Sequence, residues 1–274
     1  MKLIPRRTSA AFTRIELLVV SAIILVMVSM LLPALGKAKA KPGRIKCVNN
    51  QKQIGTAFRV FASDNGELYP LQAKGKPYIY QAGETNTVLG AVASTNAQAW
   101  QVFQAMWNEL QTPKVLLCPQ DTNRHAFQHV SDFNGLAGAP GLMTTNSLGH
   151  PDNQNRAVSY TTLALADEAK PLQLLSTDRN INSANSTNTA AERGPFPSGI
   201  RFTVASESSA KTKYWISGPG AMIHGLQGNL TYADGSVQQA TATVLQQSLL
   251  NSGNTYGWGT PAAPGPGASI FLMP

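Results

Sequence analysis

Acidic residues are nearly missing from the start of this chain: residues 1–59 hold 11 Lys/Arg against Glu16 alone, a net of +10. Residues 60–274 hold 11 Lys/Arg against 13 Asp/Glu, a net of −2. The formal charge of +8 therefore belongs to the N-terminal segment. A nucleic-acid partner would need a basic face on the folded part, and the near-neutral body argues against one. The chain also has no Gly-rich phosphate loop, no nucleophile elbow and no clustered carboxylate pair, so it lacks the usual marks of an enzyme. It shows no internal repeat. Its two cysteines, Cys47 and Cys118, allow one disulfide in an oxidising compartment or two separate buried thiols.

What is present suits a folded body. Of 274 residues, 43% are hydrophobic and 13% charged, which sets the chain apart from disordered sequences. Four Trp, nine Phe and seven Tyr supply aromatic area to bury, and the abundance of Gly, Pro, Asn, Thr and Ser favours short strands and loops.

Met1 to Ala11 carries Lys2, Arg6 and Arg7 and has no apolar core of its own. From Leu17 to Gly36 there is no charge at all. As a helix this run of about 20 residues would span about 30 Å, the thickness of a bilayer's hydrocarbon core. Pro33 near its far end predicts a bend. An ordinary secretory signal has a shorter apolar region with its cleavage site after it, whereas here Ala10 and Ala11 precede the run. Glu16 at the edge of the span is costly unless paired. Lys37, Lys39, Lys41, Arg44, Lys46 and Lys52 follow the span, and the positive-inside rule alone would place that side in the cytoplasm.

The string Ala11-Phe12-Thr13-Arg14-Ile15-Glu16-Leu17-Leu18-Val19-Val20 resembles the cleavage and methylation motif of prepilin-type proteins, the type IV pilins and type II secretion pseudopilins. The resemblance implies a cut between Ala11 and Phe12 by a prepilin peptidase and methylation of the new Phe12 amine. It also gives Glu16 a role in filament assembly, pairing with that amine on a neighbouring subunit. Ala11 stands where glycine is usual, and Arg14 where an apolar or small residue is commoner. Three further elements resemble large planctomycete and verrucomicrobial sets of the group. They are Cys47-Val48-Asn49-Asn50-Gln51-Lys52-Gln53-Ile54-Gly55, Cys118-Pro119-Gln120-Asp121, and His224 separated by nine intervening residues from Asp234-Gly235.

The expected fold is α+β: a long N-terminal transmembrane and stalk helix packed on a small antiparallel sheet head. Its expected parts are a leader at 1–11, the transmembrane helix at 12–36, a basic stalk helix at 37–63, the head at 64–251 and a Gly/Pro-rich tail at 252–274. Pro42-Gly43 predicts an interruption, with a second helix over 44–63 that Asn65-Gly66 stops. Cys47, Ile54, Phe58 and Phe61 mark its buried stripe. A helix is predicted at 96–112, an extended segment at 115–119, loop at 122–157 and 179–194, and strands at 158–166, 171–177, 199–205 and 212–216. A hairpin is predicted over 229–238 with a two-residue Asp-Gly turn, then a helix at 241–250. Ile270-Phe271-Leu272-Met273 is a tether for the tail.

Candidate chemistry is sparse. His125 and His129, four apart, could face a metal together from a helix. His224 and Asp234 could pair by hydrogen bonding, or Asp234 could make the turn while His224 packs nearby. Calcium-binding pseudopilins use C-terminal loop carboxylates, which makes Asp234 a calcium candidate; otherwise no cofactor is expected. The reading is a structural subunit in a type II secretion-like filament. Its partners would be the bacterial inner membrane, the peptidase, other pseudopilins and the assembly platform, with the head periplasmic or extracellular. The alternatives are a type IV pilus subunit or adhesin, and a signal-anchored periplasmic enzyme or binding protein.

Overall fold

A computed structural model of the protein describes residues 13–73, 98–134, 142–183, 200–204, 206–215, 223–258 and 269–273. The leader, with Ala11 and Phe12, lies outside the described residues, as do most of the 179–194 segment and most of the tail. The chain divides into two compact units, Met1–Pro42 and Gly43–Pro274.

Helix α1 runs Arg14–Asp64. Its backbone stays helical through Pro42 and Gly43, so the predicted interruption does not occur. A proline inside a helix removes one hydrogen bond, and the turns on either side can carry the helix past it. The predicted stop is met: Asn65 N and Glu67 N both return to Ala62 O, and Gly66 takes φ +68°.

The expected transmembrane helix is overturned. Among the described residues, no helix is long and apolar enough to cross a membrane. The part of the apolar run whose side chains are described, Ile15 to Met30, begins beside Arg14 and Glu16.

In the second unit, the predicted helix at 96–112 is broken at Met106 into α2, Ala99–Ala105, and α3, Trp107–Leu110. The predicted extended segment after it is instead a 3-10 turn over Pro113–Leu116, begun by Thr112, whose hydroxyl accepts from Lys114 N. Proline's fixed φ suits the first turn of a helix as well as a strand, and the threonine cap tips the balance. Two more 3-10 turns, Thr122–His129 and Gln154–Ala157, lie in the predicted loop.

Among the described residues there are eight strands: β1 Tyr160–Leu163, β2 Leu174–Asp178, β3 Ile181–Ser183, which falls in the expected 179–194 loop, β4 Ile200–Val204, β5 Lys213–Trp215, β6 Gly228–Tyr232, β7 Val237–Ala240 and β8 Ser269–Met273. Between them lie α4, Glu207–Lys211, and α5, Ala242–Tyr256. Six strands form one sheet in the order β4-β8-β1-β2-β6-β7, and β3 pairs β5 separately. Every pairing is antiparallel. The tether Ile270–Met273 is thus a strand with a partner on each side, β4 and β1.

The sheet is covered on both faces. Adjacent residues of a strand point oppositely, and the neighbours Leu174 and Leu175 fall in different apolar clusters. Leu175 joins Cys47, Ile54, Phe58 and Phe61 of α1, whereas Leu174 joins Leu245 and Leu249 of α5. The expected stripe on the helix is therefore the one that meets the sheet.

The β6–β7 turn differs in detail from expectation. Tyr232 O accepts from Gly235 N at 2.9 Å, and Tyr232 N donates to Ser236 O at 2.9 Å. Only Gly235 of the Asp-Gly pair has positive φ, +80°. This is a three-residue loop closed by a left-handed glycine rather than a two-residue turn. The loop lies against α1: a Cβ on Gly55 would sit 3.3 Å from Gly235 Cα, and one on Gly235 would sit 3.2 Å from Arg59 Cδ.

Candidate functional site

Glu16 already has a partner in its own chain. Its Oε2 accepts from Thr13 N and from Thr13 Oγ1, each at 2.8 Å, while Thr13 Oγ1 accepts from Glu16 N at 3.3 Å. This reciprocal arrangement is a capping box, satisfying donors that the first turn of α1 leaves open. The Thr-x-x-Glu spacing before an apolar run carried that signal in the sequence. After it, large apolar side chains from Ile15 to Met30 are exposed, between 44% for Val28 and 74% for Ile15. At 3.6 residues per turn, so unbroken a run exposes the whole circumference.

In the second unit, three of the motif elements meet. Cys47 on α1 and Cys118, just after the Pro113–Leu116 turn, form a disulfide with Cα atoms 5.2 Å apart across 71 residues of sequence. Of the two alternatives for the cysteines, the structure takes the bonded one. His224 lies over this bond: its Nε2 is 3.6 Å from Cys118 Sγ and its Nδ1 is 2.7 Å from Gln120 Oε1. The same Nε2 is 3.5 Å from Asp178 Oδ2 at the end of β2, and both side chains are fully enclosed. Asp178 in turn accepts from Gln51 Nε2 at 2.9 Å, Asn229 N at 2.7 Å and Asn229 Nδ2 at 3.0 Å. Gln51 also accepts from Thr231 Oγ1 at 2.8 Å, so one glutamine of α1 holds two strands.

Sequence reasoning did not find Asp178, Gln51 or Arg44 here. Asp178 ends an apolar strand, a position that signalled only burial, and Gln51 sits one turn beyond Cys47 on the buried stripe. Arg44 stands in the basic run that follows the apolar segment, yet its Nε and Nη2 are enclosed and find no hydrogen-bond partner among the described residues.

Burial and the nearby Arg44 charge push His224 down to about 4, with Asp121 opposing. Burial pushes Asp178 up to about 7 against the hydrogen bonds from Asn229 and Gln51 and the charge of Arg44. As pH falls from about 6.5 to about 4, the unfolded chain takes up a histidine proton before the native one does, so the His224 contribution to stability declines. Over the same interval the native state takes up a proton on Asp178 before the unfolded chain does, and that contribution rises. The two offset each other. Asp178→Asn removes the rise, so its melting temperature should drop more steeply than wild type's between about pH 6.5 and pH 4. Parallel curves would contradict this balance.

Behind the pair lies a second buried cluster. Asp121 accepts from Arg179 Nε at 2.8 Å and Nη2 at 2.7 Å and lies 3.5 Å from Arg124 Nε. Arg124 Nη1 donates to Asn155 O and Val158 O. Burial raises the Asp121 carboxyl, but the hydrogen bonds and charge of Arg179, with Arg124, outweigh it and hold it below its ordinary value.

The two ends of the His224–Asp234-Gly235 element do different work. His224 seats on the disulfide, while Asp234 Oδ1 accepts from Ser236 N at 2.8 Å inside the hairpin loop. Of the two readings of this pair, the structure takes the turn-and-packing one. Asp234 joins no group of metal donors among the described residues; the one such group is Cys47, Cys118 and His224. His125 and His129 do not converge either: His125 Nε2 lies 3.0 Å from Pro119 O and His129 Nδ1 2.8 Å from Ala126 O. The 3-10 turn that carries them has three residues per turn, so side chains four apart no longer share a face. Comparison with family models, curated proteins and solved structures finds no match for the chain.

Proposed function

We propose that the chain is a prepilin-type structural subunit, cut before Phe12 and assembled with other pseudopilins of a type II secretion-like filament through the first part of α1. The observation that carries this reading is the exposed apolar circumference from Leu17 to Met30, directly after Glu16. Each large side chain on such a surface gains about 1.5–3 kcal/mol when a neighbouring helix removes it from water. A bundle of like helices serves that need on every side at once. The later turns of the same helix, from Cys47 to Ala62, are built into the core of the second unit, which supports a division of labour between assembly and folding.

Cutting before Phe12 would set a cationic amine next to Thr13, one turn from Glu16. A buried amine–carboxylate pair would fix subunit register more than it adds stability. The capping box refines the test. Glutamine serves as well as glutamate at its third position, so Glu16→Gln keeps the helix start and removes only the charge. It should abolish incorporation into filaments while leaving the amount of folded chain unchanged. Normal incorporation of Glu16→Gln would remove the charge-pairing role.

The reading as a whole is tested by mass spectrometry of the N-terminus of the chain isolated from its native cells. Methylated Phe12 is the expected terminus. An intact Met1, or a cut beyond Gly36, would overturn the filament reading in favour of a tethered binding protein or enzyme.

A further inference from the structure

We propose that Cys47, Cys118, His224 and Asp178 form a redox-gated zinc site, closed while the two sulfurs are bonded to each other and opened when a dithiol reduces them. This goes beyond the filament reading and does not depend on it. The donor set suits zinc, which takes four ligands of sulfur, nitrogen and oxygen in a tetrahedron. Cys47 Sγ, Cys118 Sγ and His224 Nε2 all lie within 4.8 Å of one another.

Two edges of the tetrahedron are already in place. With a zinc–sulfur bond of about 2.3 Å and a zinc–nitrogen bond of about 2.1 Å, a tetrahedral S···N edge is about 3.6 Å. Cys118 Sγ and His224 Nε2 are 3.6 Å apart. The corresponding N···O edge is about 3.4 Å, and His224 Nε2 and Asp178 Oδ2 are 3.5 Å apart. Asp178 stands outside the group whose donor atoms all lie within 4.8 Å of one another, so closing the tetrahedron requires the two sulfurs, which reduction releases, to separate and to move toward the Asp178 carboxylate.

The surroundings fit a metal centre as well. Gln120 Oε1 at 2.7 Å from His224 Nδ1 can hold the imidazole with its Nε2 lone pair toward the other donors, the outer contact that metal-bound histidines use. Gln51 and Asn229 orient the carboxylate of Asp178. Two thiolates, one carboxylate and Zn²⁺ carry a net charge of −1. Arg44, whose enclosed Nε and Nη2 find no partner among the described residues, supplies the opposite charge. A cleft lined by Leu117, Cys118 and Pro119 with Lys114 and His125 opens beside the cysteine.

The chemistry balances in two steps. A dithiol transfers two electrons and two protons to the Cys47–Cys118 bond, becoming a disulfide itself and leaving two thiols. Zinc then binds both sulfurs and releases the two thiol protons.

The test uses the full chain, oxidised or reduced anaerobically with a phosphine, with Zn²⁺ measured by competition against a chromophoric chelator and Co²⁺ as the spectroscopic probe. The reduced chain should bind one metal with sulfur-to-cobalt charge transfer and the intense visible bands of a tetrahedral site, and zinc should raise its melting temperature. The oxidised chain should show none of these. Gln120→Ala should weaken zinc binding about 10- to 100-fold without changing the ligand count, and His224→Ala should lose the tetrahedral cobalt spectrum. Failure of the reduced chain to bind zinc would overturn the proposal. So would an affinity unchanged in both variants, which is what two thiols of an opened chain would give by themselves. The terminus measured for the filament reading has no bearing on either result.

Discussion

Replacing Cys47 and Cys118 together by alanine is expected to lower the unfolding free energy by about 4 kcal/mol in the oxidised protein. The bond closes a stretch of 71 residues, and a cross-link over so long a loop removes much of the freedom of the unfolded chain. It also joins two parts that share no strand ladder, the middle of α1 and the turn before Asp121. Alanine avoids burying two hydroxyls in an apolar site, since both cysteines are buried. Urea unfolding should show the midpoint fall and the slope rise, because an uncrosslinked unfolded chain exposes more surface. A loss below about 1 kcal/mol would mean that the rest of the core already fixes α1 on the sheet, leaving the bond little to restrain.

Asp121→Asn is expected to cost about 3–5 kcal/mol, as large an effect from one atom. The substitution keeps the shape but leaves Arg179 and Arg124, both buried, facing each other without the charge between them. Arg179→Met should cost less, because Asp121 then keeps Arg124 as partner. This ordering separates charge compensation from loss of packing, which would make the larger arginine truncation the worse change. The pH dependence follows from the lowered Asp121 carboxyl. Its contribution is complete above its ordinary value of 3.8 and is lost as pH falls through the lower native value. The gap in melting temperature between wild type and Asp121→Asn should therefore be full at neutral pH and close well below pH 3.8. A gap that stays constant would assign the loss to packing.

The two clusters explain why this end of the body is built as it is. Asp178 and His224 sit over the disulfide, and Asp121 three residues after Cys118 anchors Arg179, the residue after Asp178. The segments around Cys118, the end of β2 and His224 are thus tied by sulfur, charge and hydrogen bonds within a few residues of one another. Such a site is rigid in one redox state and rich in metal donors in the other, which is the physical basis of the zinc proposal.

Much of this protein could be read from its residues because the governing forces are local. The stripe Cys47, Ile54, Phe58 and Phe61 follows from 3.6 residues per turn, and each of its members is buried. The stop at Asn65-Gly66 needs only a left-handed glycine. The alternation about Asp-Gly placed β6 and β7. What failed were choices between closely balanced local conformations: the turns on either side carry the helix past Pro42-Gly43, the Thr112 cap coils Pro113–Leu116, and the 3-10 turn separates His125 from His129.

The order β4-β8-β1-β2-β6-β7 puts the last strand of the chain between two others, a placement set by which ladders remain open when the sheet forms. The convergence of Cys47, Cys118, Asp178 and His224 has the same origin. By itself the sequence determined the elements, the apolar run and the chemistry available at its start. Only the tertiary structure decided which polar groups would be buried together. Burial energies depend on partners in space, and residues 71 and 106 positions apart become partners only when the chain closes on itself.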